Sequence, residues 1–148
     1  MIAPAQFLRS QASQAQIAKH LRACDASFVP PLHQRVDIDN YAAKLAAKAE
    51  CFEAWSGAEL VGLLAAYCRQ PQASEVFVSN LSVTPAWHGR GMASALLQVC
   101  IDHARQAGCE RLVLKVSHGN VAAAVFYKKR GFAVVGSAAD SQTLQLFV

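Results

Sequence analysis

The chain has 148 residues, room for one domain at roughly 150 residues each. Apolar residues make up 53% and charged residues 16%. That balance excludes intrinsic disorder, and a domain of this size buries roughly two thirds of its surface without needing a metal or disulfide. The 14 Lys and Arg against 10 Asp and Glu leave a formal charge of +4. It is scattered apart from Lys128, Lys129 and Arg130, which argues against nucleic acid as a partner and leaves anionic small molecules open.

Taken in chain order, Met1 to Ser10 lacks a basic region followed by a long apolar stretch, so no signal peptide is expected. Gln6 to Arg9 reads as a short strand. Ser10 or Ser13 caps a helix that carries Ile17, Leu21 and Cys24 on one stripe. Pro30 and Pro31 break it, and Asp37 to Asn40 offers the next helix start. Tyr41, Leu45 and Lys48 follow at helical spacing.

From Cys51 the period changes. Phe52 to Trp55, a turn at Gly57 and Leu60 to Arg69 read as an antiparallel hairpin. Glu75 to Thr84 is a further strand, ended by Pro85. Its two alternating sets are Glu75, Phe77, Ser79, Leu81 and Val83 against Val76, Val78, Asn80 and Ser82. A helix runs from Met92 to Ala107, with Ala93, Leu96 or Leu97, Cys100, Ala104 and Ala107 inward and Gly108 as its stop. Arg111 to Ser117 is a strand with Leu112, Leu114 and Val116 on one face, and Asn120 to Lys129 is a helix ended by Gly131. Phe132 to Gly136 and Thr143 to Phe147 close the chain as strands. Strand–helix–strand units imply a parallel centre and the hairpins antiparallel flanks.

Cys24, Cys51, Cys68, Cys100 and Cys109 are odd in number, and no pair has C-x-x-C spacing. Free buried thiols in a reducing compartment, the cytoplasm, are expected, with neither disulfides nor a metal. No run of 18 apolar residues occurs, so no membrane-spanning helix is expected.

The most informative segment is Trp87-His88-Gly89-Arg90-Gly91-Met92-Ala93-Ser94, between a strand and a helix. Small residues at 89, 91 and 93 let a ligand approach the backbone, and the free N–H groups of the first helical turn carry partial positive charge. Together they suit a phosphate or diphosphate, with Arg90 as a mobile cation. A P-loop is excluded because no Lys follows Gly91. A dinucleotide fingerprint fits Gly89 and Gly91, but Ser94 stands at the third site and Glu110 at the wrong end of its strand. A helix cap with no ligand stays open on these residues alone.

His88-Gly89-Arg90-Gly91-Met92-Ala93 resembles the [RQ]-x-x-G-x-[GA] acetyl-CoA motif of the GNAT superfamily of N-acyltransferases, within the stretch Leu81 to Leu97. Asn120 to Phe132 resembles the superfamily's N-x-x-A-x-x-F-Y-x-x-x-G-F segment. His88 departs from the usual Arg or Gln, so its charge depends on pH. With the element order, the resemblance covers nearly the whole chain. It implies one α/β (α+β) domain over 1–148 with a GNAT-like acyl-CoA N-acyltransferase fold. That fold is a mixed central sheet of about six to seven strands, a splayed parallel centre and about four helices.

The resemblance further implies an acetyltransferase that uses acetyl-CoA as acyl donor and needs no metal. Leu81, Ser82 and Val83 would lie along the pantetheine arm. The amides and side chains of His88, Gly89, Arg90, Gly91, Met92, Ala93 and Ser94 would hold the diphosphate. Asn120 would help hold the arm or cap its helix, and Tyr127 would lie near the thioester sulfur as general acid. A carboxylate base is common in relatives, but Lys115 stands at one such position. Glu75 and His118 are the candidate bases, with Ser79 and Asn80 nearby. Phe28, Tyr41, Tyr67, Arg69 and Lys115 are the candidate acceptor residues, for a small-molecule or peptide amine. Lys115 either attracts an anionic acceptor or is solvated. A homodimer is compatible with the apolar composition. The rival functions are a non-catalytic acyl-CoA-binding or regulatory module, which Lys115 favours, and a nucleotide-binding module.

Overall fold

Alternation of apolar side chains builds one sheet, and two helical layers cover its faces. The computed structural model describes residues 5–69 and 74–148; the side chain of Arg69 is outside the described residues. The strands are β1 (Gln6–Arg9), β2 (Glu50–Ser56), β3 (Glu59–Arg69), β4 (Glu75–Val83), β5 (Arg111–Ser117), β6 (Ala133–Ser137) and β7 (Ser141–Phe147). The helices are α1 (Gln14–Cys24), α2 (Ile38–Lys48), α3 (Met92–Gln106) and α4 (Val121–Lys129). The sheet has seven strands in the order β1-β2-β3-β4-β5-β7-β6, antiparallel except between β4 and β5. The expected mixed sheet with a parallel centre and four helices is therefore present among the described residues.

Local chemistry sets the helix starts. Of the two expected caps for α1, Ser13 is used: its hydroxyl accepts from the Gln16 N–H and the Gln16 side chain accepts from the Ser13 N–H. Asp37 caps α2, its carboxylate accepting from the Asn40 amide. Glu53 is almost fully buried in β2, yet accepts hydrogen bonds from the Gln11 and Ala12 amides and the Trp55 indole. Those three donors offset its burial and fix the approach to α1.

One face of the sheet packs on α3 and α4 through residues such as Leu64, Val76, Val78, Leu96 and Leu112. The other packs on α1 and α2 through Ile17, Leu21, Leu45, Leu63 and Ala65. Gly62 lets α3 lie close: a Cβ there would come within 2.9 Å of the Leu96 side chain. Two details differ from the sequence expectation. Ala107 is exposed, because α3 ends at Gln106, and Ile101 and Met92 take inward places instead. All five cysteines are free, but Cys68 is only half-buried.

The irregularity that matters most is in β4. Ala66 pairs with Val78 and Ala65 with Asn80, so Ser79 is an extra residue with no partner on β3. Such a bulge bends and twists the strand that carries it. It also switches the faces. Val76 and Val78 point toward α3 and α4 before the bulge, and Leu81 and Val83 do so after it. Asn80 and Ser82 are thereby turned to the α1 side. Parallel pairing of β4 with β5 covers Glu75 to Val78 against Arg111 to Leu114 and stops there. Beyond the bulge the two strands part.

Candidate active site

The gap between β4 and β5 is the centre of one continuous groove. A cavity of about 320 Å³ lies between the parted strands and the α1–α2 connection; Phe28, Tyr41, Asn80, Lys115, Asn120 and Tyr127 are among its walls. A second cavity shares Phe28, Leu81, Asn120, Ala123 and Tyr127 with it and runs past Ser82 and Val83 to His88 and Gly89. A third continues from Val83 and His88 over Gly91, Ala93 and Ser94 to Phe126 and Arg130.

The β4 edge that faces this groove is open. The Thr84 amide donates to the Val61 carbonyl on the β3 side. Backbone groups alternate in direction along a strand, so the Leu81 and Val83 amides point into the gap. The Val83 carbonyl does the same, for it accepts a hydrogen bond of 2.7 Å from His88 Nε2. That bond ties the glycine loop to the strand.

At the loop, Gly89 and Gly91 have φ of +74° and +76°, the left-handed region that other residues enter at a cost. No atom would obstruct a Cβ at either position, so their requirement is conformational and their outer side is open to a ligand. Gly91 is the N-cap of α3 and supplies no side chain to its first turn. The amides there have no capping partner and aim at the groove. Arg130 also stands there. It donates to Ser94 Oγ and to the Phe126 carbonyl (2.9 Å), and its guanidinium lies 3.7 Å from the centre of the Phe126 ring. Arg90, the expected mobile cation, is instead 5.4 Å from the Trp87 ring centre and outside the groove walls.

Tyr127 is held edge-on by Phe126 and Phe132, at 5.1 Å and 5.3 Å between ring centres. Burial raises its phenol well above the ordinary value, and Arg130 opposes this only in part. The phenol therefore keeps its proton at neutral pH. Among the described residues its hydroxyl has no hydrogen-bond partner, although the ring lines both inner cavities. Asn120 caps α4, its Oδ1 accepting from the Ala123 amide at 3.1 Å. The same side chain lines both cavities, so capping leaves the NH₂ end for the groove.

The other expected residues divide. Phe28, Tyr41 and Lys115 line the inner cavity. The Tyr41 hydroxyl donates to the Ser79 carbonyl (3.2 Å) and accepts from Ser79 Oγ (2.6 Å), which clamps the bulge. Glu75 sits at the far end of β4, 3.4 Å from Arg111, where the strands are still paired. His118 is exposed and donates to the Ala138 carbonyl at 2.7 Å. Tyr67 lies beside Lys44, 5.6 Å from its ammonium. None of these three lines the groove. The Arg69 side chain falls outside the described residues. Glu110 donates nothing to the loop: it precedes β5 at the opposite end of the sheet, 3.7 Å from Arg111.

Four contributors lie outside the sequence expectation. Arg130 was visible as part of a basic run. Arg35, which lines the inner cavity, follows two prolines in an irregular segment with no periodic signal. Asp25 fixes that segment by accepting from the His33 amide and ring, which holds its carboxyl below the usual range. Ser79 is not among the four, standing beside the candidate bases in the sequence expectation; its bulge is legible only as a break in alternation.

The fourth is His20, buried in α1. Its Nδ1 donates to the Leu60 carbonyl (3.0 Å), and its Nε2 is 2.9 Å from Ser82 Oγ, which in turn is 2.8 Å from Asn80 Oδ1. This chain supports β4 from behind the gap. Burial is the main cause that pushes His20 from 6.5 down to about 4, so the native imidazole is neutral. The unfolded chain takes up a proton below pH 6.5 that the native state refuses until about pH 4. Stability present at neutral pH is thus lost as pH falls through that window, by about 3 kcal/mol from this residue. The melting temperature of wild type should fall more steeply between pH 6.5 and 4 than that of His20→Gln. Parallel curves would show that His20 is not held neutral.

The groove has a distinctive charge pattern. Arg35, Lys115 and Arg130 line it, and no Asp or Glu does among the described residues. Among the described residues no group of three or more His, Cys, Asp or Glu could hold a metal ion. Open amides, a nearby guanidinium and a carboxylate-free channel fit a diphosphate with a long uncharged tail. The buried thiols Cys24, Cys51 and Cys100 are raised to about 11, 12 and 12 by burial and are poor nucleophiles.

Comparison with known proteins bears on the same region. The model of the acetyltransferase (GNAT) family matches residues 15–132. Mycothiol acetyltransferase of Corynebacterium glutamicum is 35% identical over 83 residues, 56% of this chain and 28% of that protein. The chain thus spans under a third of the length of that relative. Among solved structures, the ribosomal-protein-S18-alanine N-acetyltransferase of Escherichia coli superposes with a TM-score of 0.74 at 18% identity, covering 97% of this chain and 94% of that one. A Bacillus subtilis acetyltransferase in complex with CoA gives 0.75 at 16%, covering 97% and 99%. At these identities the structural likeness concerns the fold.

Proposed function

The chain belongs to the acetyltransferase (GNAT) family, and from that premise we propose that it transfers an acetyl group from acetyl-CoA to a primary amine by direct attack. The observation that carries this reading is the parting of β4 and β5 after Val78 and Leu114. It opens a channel continuous with the uncapped start of α3. In this reading the diphosphate lies on the amides from Gly89 to Ser94, with Arg130 beside it. The pantetheine arm hydrogen-bonds the free edge at Leu81 and Val83, and the acyl group reaches the cavity bounded by Tyr127 and Asn120.

The chemistry follows. A neutral amine nitrogen bonds to the acyl carbon and gives up a proton. The C–S bond breaks and the sulfur leaves with its electron pair. A backbone amide of the open β4 edge stabilises the negative charge that develops on the carbonyl oxygen. The Tyr127 phenol, protonated and unpartnered, donates to the departing sulfur. No covalent enzyme intermediate is needed, in keeping with the inert thiols. The carboxylate-free groove supports proton loss to water rather than to an acid side chain. Five free cysteines support a reducing location, the cytoplasm.

Thiol release from acetyl-CoA, followed over an amine library, tests the reading. Amine-dependent release matched by acetylated product is expected. Tight CoA binding with no turnover for any amine would instead favour the acyl-CoA-binding module.

A further inference from the structure

We infer that the acceptor is a small primary amine that carries an anionic group next to an apolar body, as an apolar α-amino acid does. This rests on the acyl-transfer reading and names its second substrate.

Three observations converge on the inner cavity. First, among the described residues Arg35 and Lys115 are its only charged walls, one from the α1–α2 connection and one from the diverging half of β5. Among the described residues neither makes an ion pair, although ion pairs form elsewhere on the chain. Burial raises the Tyr41 phenol, and Arg35 is close enough to oppose that rise electrostatically, so its charge reaches the cavity. Two uncompensated cations facing one space favour an anion there and disfavour polyamines and other polycations. Second, Phe28, Val29, Leu32 and Val36 of the α1–α2 connection give the cavity an apolar wall. An apolar group of the acceptor finds its place there. Third, the cavity of about 320 Å³ is at the small end of ligand sites.

The same charges serve the reaction. A positive field disfavours the ammonium form of the acceptor, and only the neutral amine attacks. The two cations thus bind the anionic group and promote release of the proton that in a carboxylate-equipped site a base would take. Lys115, which favours a non-catalytic module when read from sequence, becomes a substrate-binding residue.

Matched pairs of acceptors test this with purified protein and acetyl-CoA. Leucine and phenylalanine are compared with isoamylamine and phenethylamine, which lack the carboxylate. O-Phosphoethanolamine is compared with ethanolamine to separate phosphate from carboxylate recognition, and spermidine represents polycations. At least one anionic member should exceed its uncharged partner by 10-fold or more in kcat/KM, mainly through KM. That preference should vanish in Lys115→Glu and in Arg35→Glu, two exposed positions, while CoA affinity and melting temperature stay at wild-type values. Equal or better use of the partner amines or spermidine would overturn the inference, as would CoA binding with no turnover of any member. Absence of CoA binding would instead overturn the acyl-transfer reading on which it rests.

Discussion

Gly91→Glu should weaken CoA binding by at least about 100-fold, which is about 2.7 kcal/mol. Two effects add. Gly91 has φ +76°, and a residue with a Cβ pays roughly 1–2 kcal/mol to stay there. The new carboxylate would also stand where uncapped α3 amides and Arg130 present positive charge to a diphosphate. Gly91→Ala separates the terms: strain alone should cost about 10-fold, with the rest appearing only in the glutamate. Titration calorimetry with CoA reads both, and melting curves show whether each variant is folded. Affinity equal to wild type in the folded glutamate variant would refute the assignment of the loop.

Tyr127→Phe should lower kcat by about 100-fold or more, the usual range for a lost general acid, while CoA affinity changes by less than about threefold. The split follows from geometry. The ring packs against Phe126 and Phe132 and is retained in the variant, whereas the hydroxyl has no partner among the described residues. Removing it leaves no buried group unsatisfied, so the melting temperature should hold. An unchanged kcat would mean that the departing sulfur draws its proton from another source.

Much of this site is legible before any coordinates because its signals are local. Ser13 and Asp37 announce helix starts, and glycines at 89 and 91 announce a loop with unusual backbone angles. Asn120 and Tyr127 are picked out by the resemblance of Asn120 to Phe132 to the family's segment. The strands read clearly because Leu112, Leu114 and Val116 alternate onto one buried face. Non-local features were harder. The Ser79 bulge flips the inward parity from Val76 and Val78 to Leu81 and Val83, and a strict period of two hides the switch. Lys115 is prominent in sequence, but its meaning depends on Arg35, 80 positions earlier, across the same cavity. Glu75 and His118 attract notice as titratable residues near the motifs, yet pairing with Arg111 and with the Ala138 carbonyl occupies them elsewhere. Chain proximity does not report which end of a strand opens.

The most direct measurement is a crystal structure of the protein grown with CoA. The account predicts the diphosphate on the amides from Gly89 to Ser94, the pantetheine arm paired with the free edge of β4 at Leu81 and Val83, and the sulfur within reach of the Tyr127 hydroxyl. Coenzyme bound at another surface, or none retained at millimolar concentration, would contradict it.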